Sequence, residues 1–277
     1  MHYKTGYVEV NGAQIRYERA GEGPTVILLH AGLVDRHMWL SQFEVFKTYY
    51  DVVCYDARGF GATTSANDVT YSHCGDLLGV MDALKIQRAA LVGLSLGGKT
   101  AIDFTVENPT RVSALVPVCA ALSGFQLNSE VLKGFRAQFE AAQNRGDVAA
   151  QIEILLRVWV DGPERTPDHV PADVRYQVQV MHVQLKAKQA REGQVSPPQE
   201  IDPPAFQRLA GITAPTLIIQ GDMDMPDVLA VSELLEQHIP FARKVMVPHA
   251  AHMVSLEYPA LFNRLVLDFL REHLDNR

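Results

Sequence analysis

Short β-rich runs alternate with helix-period stretches along this chain, and no single motif limits its fold as strongly as that alternation. The spacing predicts strands over 7–10, 14–18, 25–29 and 51–55, with a helix over 38–47 between the last two. The first two strands meet at Asn11-Gly12, a dipeptide suited to the left-handed backbone of a two-residue hairpin turn. Leu77, Val80, Met81 and Leu84 mark a helical face within 70–84, 89–92 reads as a short buried strand, 96–107 as a helix stopped at Pro109, and 112–118 as the next strand. Parallel strands need crossovers of about a dozen residues, so strict alternation calls for a mostly parallel, doubly wound α/β sheet with helices on both faces.

The alternation stops near Ala121. From 123 to 207 no strand pattern is found, but three helical faces are: Leu132, Phe135, Phe139 and Ala142; then Val148, Ile152, Leu155 and Trp159; then Val174, Val178, Met181 and Leu185. A stretch this long does not run as bare loop in a compact domain, so a helical cap is expected, with the Pro-rich "SPPQEIDPP" at 196–204 as its return linker. Strands then resume at 216–220 and 243–247, followed by helices at 226–239 and 256–273. The expected organisation is a core of 1–122 and 208–277 with a cap of 123–207.

With 277 residues, 47% of them hydrophobic, the chain can bury one large core and a small second lobe. A net charge of −7 with no Lys/Arg cluster argues against a nucleic-acid or anionic membrane partner. Cys54, Cys74 and Cys119 form no C-x-x-C and cannot all pair, so free thiols in a reducing, cytoplasmic compartment are expected. The N-terminal stretch lacks a signal pattern, and no apolar run approaches the ~18 residues of a membrane span.

One turn stands out chemically. In "VGLSLGG", Ser95 lies between a strand and a helix, with Gly93 and Gly97 two positions either side. A serine held in such a turn presses its flanking residues against backbone, which glycine tolerates, and aims Oγ out from the carboxyl end of the strand. The hydroxyl needs a base to become a nucleophile. Two later strands end in suitable loops: "GDMDMP" offers Asp222 and Asp224, and "PHAAHM" offers His249 and His252. A histidine held by a carboxylate on one nitrogen can take the serine proton on the other and return it to a leaving group.

These segments, with "LLHAGLVDRHMW", "YDARGFGATTS" and "AHMVSLEYP", resemble the α/β-hydrolase family over essentially the whole core. Ala31 and Ala251 replace glycines usual in that pattern. The resemblance implies Ser95 as nucleophile, Asp224 as acid and His252 as base. Asp222 is then a turn residue bonding its own backbone and His249 a loop residue. The N–H groups of Leu96 and Gly32 are expected to form the oxyanion hole. His30 reads as a buried imidazole pinning its loop, and Arg58 as half of a stabilising ion pair. His249-x-x-His252 lacks a third ligand at suitable spacing, so no metal is expected, and no cofactor is required. Met223, Met225, Met246 and Met253 read as core filler near the site, while Leu33, Trp159 and Met253 are candidates to line a substrate pocket under the cap.

The expected activity is hydrolysis of small, largely apolar carboxylic esters or lactones through an acyl-enzyme. Carbon–carbon hydrolases, cofactor-free perhydrolases and acyltransferases share the triad, and residues 93–97 do not separate them. A small-molecule receptor on the same scaffold is the rival from another class. Oligomeric state is not legible.

Overall fold

In a computed structural model, which describes residues 3–274, nine strands join in one sheet. They are β1 (Tyr3–Val10), β2 (Ala13–Ala20), β3 (Thr25–Leu29), β4 (Asp51–Tyr55), β5 (Thr64–Ser65), β6 (Ala89–Leu94), β7 (Val112–Val118), β8 (Leu217–Gly221) and β9 (Arg243–Val247). The order is β1-β2-β4-β3-β6-β7-β8-β9, with β5 beside β2. From β4 across to β9 every neighbouring pair is parallel, while β2 runs against β1, β4 and β5. Asn11 and Gly12 both take positive φ, 43° and 71°, and close the predicted hairpin.

The central strands bury both faces, and side chains alternate across them. Val26, Leu28, Val52 and Val92 join one apolar cluster with α1 (Leu40–Phe46) and α9 (Pro259–Leu274). Ile27, Leu29, Val53 and Leu91 join another with α2 (His73–Ala83), α3 (Leu96–Glu107) and α7 (Pro226–His238). From β3 the chain steps to one side for β4, then crosses to the other side for β6. The loops after β3 and β6 therefore diverge, leaving a crevice at the strands' carboxyl ends, the position where such sheets bind ligands.

Between β7 and β8 lie α4 (Glu130–Asn144), α5 (Val148–Leu156) and α6 (Ala172–Glu192), with no strand among the described residues. The α6 face is buried as predicted, at Val174, Val178, Met181 and Leu185. The second face is not. Val148 is 60% exposed, and Leu156 rather than Leu155 is the buried residue of α5. After it the helix widens into a π turn, Arg157–Asp161, which rephases the side chains and ends the simple periodicity. The predicted helix over 38–47 opens as a 3₁₀ turn, Arg36–Trp39, capped by Asp35. The one over 256–273 is two, α8 (Val254–Glu257) and α9, separated at Tyr258. All three cysteines are buried and free. No helix among the described residues is long and apolar enough to cross a membrane.

Candidate active site

The turn from β6 into α3 is strained in the way its sequence requires. Ser95 has φ 56° and ψ −110°, outside the regions favoured by L residues. A Cβ on Gly93 would lie 2.2 Å from the Gly97 carbonyl oxygen, and one on Gly97 would lie 2.1 Å from that of Leu29. Neither position admits a side chain, so α3 begins pressed against both β6 and the end of β3. Gly98 is close-packed too, its Cβ position lying 2.6 Å from Ala120 Cβ. Leu96 opens the helix, so its N–H has no helical acceptor and the positive end of the dipole faces the serine. Across the crevice, a Cβ on Gly32 would stand 3.7 Å from the Leu96 side chain, so the loop after β3 lies against the residue that opens α3.

Asp224 and His252 are both 2% exposed, and His252 Nδ1 meets Asp224 Oδ2 at 2.9 Å. The carboxylate is further held by the Met225 N–H on Oδ1 at 2.7 Å and by Gln220 Nε2 on Oδ2 at 3.1 Å. The Ser95 turn is tied to the neighbouring strand, whose end lies beside this pair. The Ser95 N–H donates to Val118 at 3.0 Å, and the next residue, Cys119, brings Sγ within 4.8 Å of ligating atoms on Asp224 and His252. No hydrogen bond between Ser95 Oγ and His252 is formed among the described residues; in unliganded hydrolases this contact is often long and tightens with substrate.

Cys119, Asp224 and His252 are also the group of metal-ligating side chains found close together among the described residues. Burial, reinforced by the Asp224 charge, pushes the Cys119 thiol well up, so it stays protonated and is a poor ligand. Asp224 and His252 already satisfy each other.

His249 is exposed, with φ 61°, and its carbonyl accepts from Arg165. Asp222 departs from expectation: its Oδ1 is buried without a partner instead of bonding its own backbone. His30 donates from Nδ1 to the Ala31 carbonyl and accepts the Ala57 N–H on Nε2, pinning the loop that carries Gly32. Arg58 forms a buried two-point pair with Asp76. Of the four methionines, Met225 and Met253 are fully buried, whereas Met246 is 39% exposed on edge strand β9 and is not core.

The insert reaches the site through its π turn. Trp159 lies 4.8 Å from the His252 ring, between centroids, and remains partly exposed, as do Leu33 and Ser95. Trp159, Phe135, Phe139 and Leu155 share one mostly apolar cavity of about 230 Å³. A clamp holds the turn in place. A Cβ on Gly162 would fall 2.2 Å from the Met223 carbonyl, Arg165 bonds the carbonyls of Val160, Asp161 and His249, and it pairs with Glu257 at 2.7 Å. Glu257 in turn accepts the Ala251 N–H, one residue before His252. Sequence reasoning missed Gln220, Arg165 and Glu257: Arg165 and Glu257 find each other 92 residues apart, and Gln220 reads as an ordinary polar residue at a strand end although its partner Asp224 lies only four residues on. The acid and base loops that these residues brace were the available signal.

The family model described as the alpha/beta hydrolase fold matches residues 24–259. A 3-oxoadipate enol-lactonase from Acinetobacter baylyi is 26% identical over 270 residues, 97% of this chain and 94% of that protein. A pimeloyl-[acyl-carrier protein] methyl ester esterase from Aeromonas hydrophila is 27% identical over 263 residues, 92% of this chain and 99% of that one. Among solved structures, the enol-lactonase from Burkholderia xenovorans LB400 superposes with a TM-score of 0.73 at 25% identity, covering 95% of this chain and 99% of that one. With its parallel sheet, strained serine turn and buried acid–histidine pair, the chain belongs to the alpha/beta hydrolase fold family.

Proposed function

We propose that this protein is a serine hydrolase of small, largely apolar carboxylic esters or lactones. The buried Asp224–His252 hydrogen bond beside the strained Ser95 turn carries this reading. Its relatives include an enol-lactonase and a methyl ester esterase, named for the two kinds of bond proposed, a lactone and an ester.

His252 Nε2 takes the Ser95 proton as Oγ attacks the substrate carbonyl, and the Leu96 and Gly32 N–H groups stabilise the resulting oxyanion. Collapse breaks the ester C–O bond, and the imidazolium returns its proton to the departing alkoxide. Water, deprotonated by His252, then attacks the acyl-enzyme and releases the acid and free Ser95. Asp224 orients His252 and stabilises its charged form. Leu33 and Trp159 supply an apolar wall that suits an uncharged acyl group, whereas Met253, with no exposed surface, packs in the core and does not line it. None of these steps requires a metal or cofactor, and the free buried thiols fit action in the cytoplasm.

Incubation with p-nitrophenyl butyrate and with a sulfonyl fluoride tests the mechanism. The expected result is multiple turnover, and stoichiometric labelling of Ser95 seen by peptide mass analysis. Labelling elsewhere, or one slow turnover per chain, would overturn it in favour of the receptor reading.

A further inference from the structure

The insert buries one polar side chain that no hydrogen bond within the fold satisfies. His182, on α6, is 5% exposed, and neither ring nitrogen has a hydrogen-bond partner among the described residues. Its neighbours on the same helix face, Val178, Met181 and Leu185, are apolar. A buried polar group left unpaired is costly to the fold, and a leucine at this position would carry no such cost.

The position of this helix gives the imidazole its significance. Met181 and Leu185 line a cavity with Val34 and Asp35, which sets this part of α6 against the loop leaving β3. That loop carries Gly32 and Leu33. The Leu33 carbonyl favours the protonated ring but does not meet it with hydrogen-bond geometry. Burial outweighs that influence and holds the imidazole below its ordinary range, so it is neutral at neutral pH, with one donor and one acceptor to offer.

We propose that His182 is a specificity-determining residue that hydrogen-bonds a hydroxyl on the acyl part of the substrate, close to the scissile carbonyl. This rests on the serine-hydrolase reading, since Gly32 defines where that carbonyl sits. A hydroxyl both donates and accepts, so it matches a neutral imidazole in either tautomer.

The test compares p-nitrophenyl 3-hydroxybutyrate with p-nitrophenyl butyrate. The wild-type protein should favour the hydroxy ester in kcat/KM by about tenfold or more, and His182→Leu should bring the ratio to about one. His182→Gln, which keeps a donor and an acceptor, should restore part of the preference. His182→Phe replaces the leucine variant if that fails to fold. A wild-type ratio near one, or a ratio that survives the leucine change, overturns the proposal and leaves an imidazole satisfied by internal water. Dissociation constants of both esters on Ser95→Ala, followed by tryptophan fluorescence, keep the two ideas separable. Discrimination in binding without turnover upholds His182 and sinks the hydrolase reading; turnover of both esters at equal rates does the reverse.

Discussion

The carboxyl edge of the sheet and the helical insert meet at His252, yet they are held by different forces. β4, β6 and β8 are buried throughout and β3 at all but Thr25, and their side chains fill an apolar cluster on each face. In the insert, α4 buries only Leu132 and Ala142, and α5 only Leu156. α6 buries Val174, Val178 and Met181 in the same apolar cluster as the sheet, and charged contacts add to that anchoring. Arg165 pairs with Glu257, Asp161 takes Arg157 and Arg175, and Asp227 at the start of α7 accepts from the backbone of Asn128 and Ser129 ahead of α4. Apolar burial is non-directional and fixes the reacting groups cooperatively with the whole core. A buried ion pair contributes little net stability but penalises every misplaced geometry, which suits a part that must present Trp159 at one distance.

Ser95→Ala gives the largest effect on the sheet side. If Ser95 is the nucleophile as proposed, its loss should lower kcat by at least about 10⁴-fold for every substrate tried, as triad removal does in known serine hydrolases. The melting temperature should stay the same or rise, because a strained, partly exposed serine contributes little packing. Residual activity within tenfold of wild type would remove Ser95 from the mechanism.

On the insert side, Arg165→Met should cost stability before chemistry. Removing one partner of a buried pair leaves Glu257 charged and unpaired, a loss of about 3–5 kcal/mol. Urea titration reads it directly. Because Glu257 also holds the Ala251 N–H, kcat should fall as well, and the double change Arg165→Met with Glu257→Gln should recover part of the stability. If the single variant unfolds at the wild-type urea concentration, the anchoring is apolar after all and the contrast between the two regions disappears.

How far the chain could be read in advance follows the same division. Strands β3, β4 and β7 and helix α3 fall on the predicted residues, because a doubly buried strand or a helix between a glycine turn and a proline leaves a local signature, and edge strand β9 falls there too without that burial. The hairpin at Asn11-Gly12 and the roles of His30 and Arg58 were legible for similar reasons. The π turn at Arg157–Asp161 was not, since an extra residue per turn leaves no pattern beyond a disturbed periodicity. Gln220 reads as one polar residue at the end of an apolar strand, and His182 as one more residue of an amphipathic helix. Their meaning lies in what faces them, Asp224 for the first and the Leu33 loop for the second, and no spacing along the chain encodes that.

The core also holds a charge-sensitive point, which sharpens the contrast rather than erasing it. His73 opens α2, and burial, helped by the nearby positive Lys99, lowers its pKa to about 4. The folded state therefore binds this proton less readily than the unfolded chain. Its contribution is fully present above the ordinary histidine value of about 6.5 and is lost as the pH falls toward and through about 4, by up to about 3 kcal/mol. Denaturation midpoints at pH 7 and pH 5 should show the wild-type protein losing stability, and His73→Phe losing less. Equal losses in both would mean that other groups govern the acid limb.

The smallest effect discriminates most finely between the two regions. Gln220 donates to the same Asp224 oxygen that receives His252, while its own Oε1 is buried without a partner. Gln220→Leu removes the donor and the unpaired oxygen together, so the two stability effects oppose each other and the melting temperature should move little. Asp224 loses one of its three holds, and the imidazole it orients becomes less well positioned. kcat should fall about tenfold at unchanged KM, because orientation of the base matters in the transition state more than in binding. The loss should be the same for esters with and without an acyl hydroxyl, unlike that from His182→Leu, which depends on the substrate. A Gln220→Leu loss that varied with the acyl group would mean that the sheet edge itself reads the substrate, and that the insert is not the sole source of selectivity.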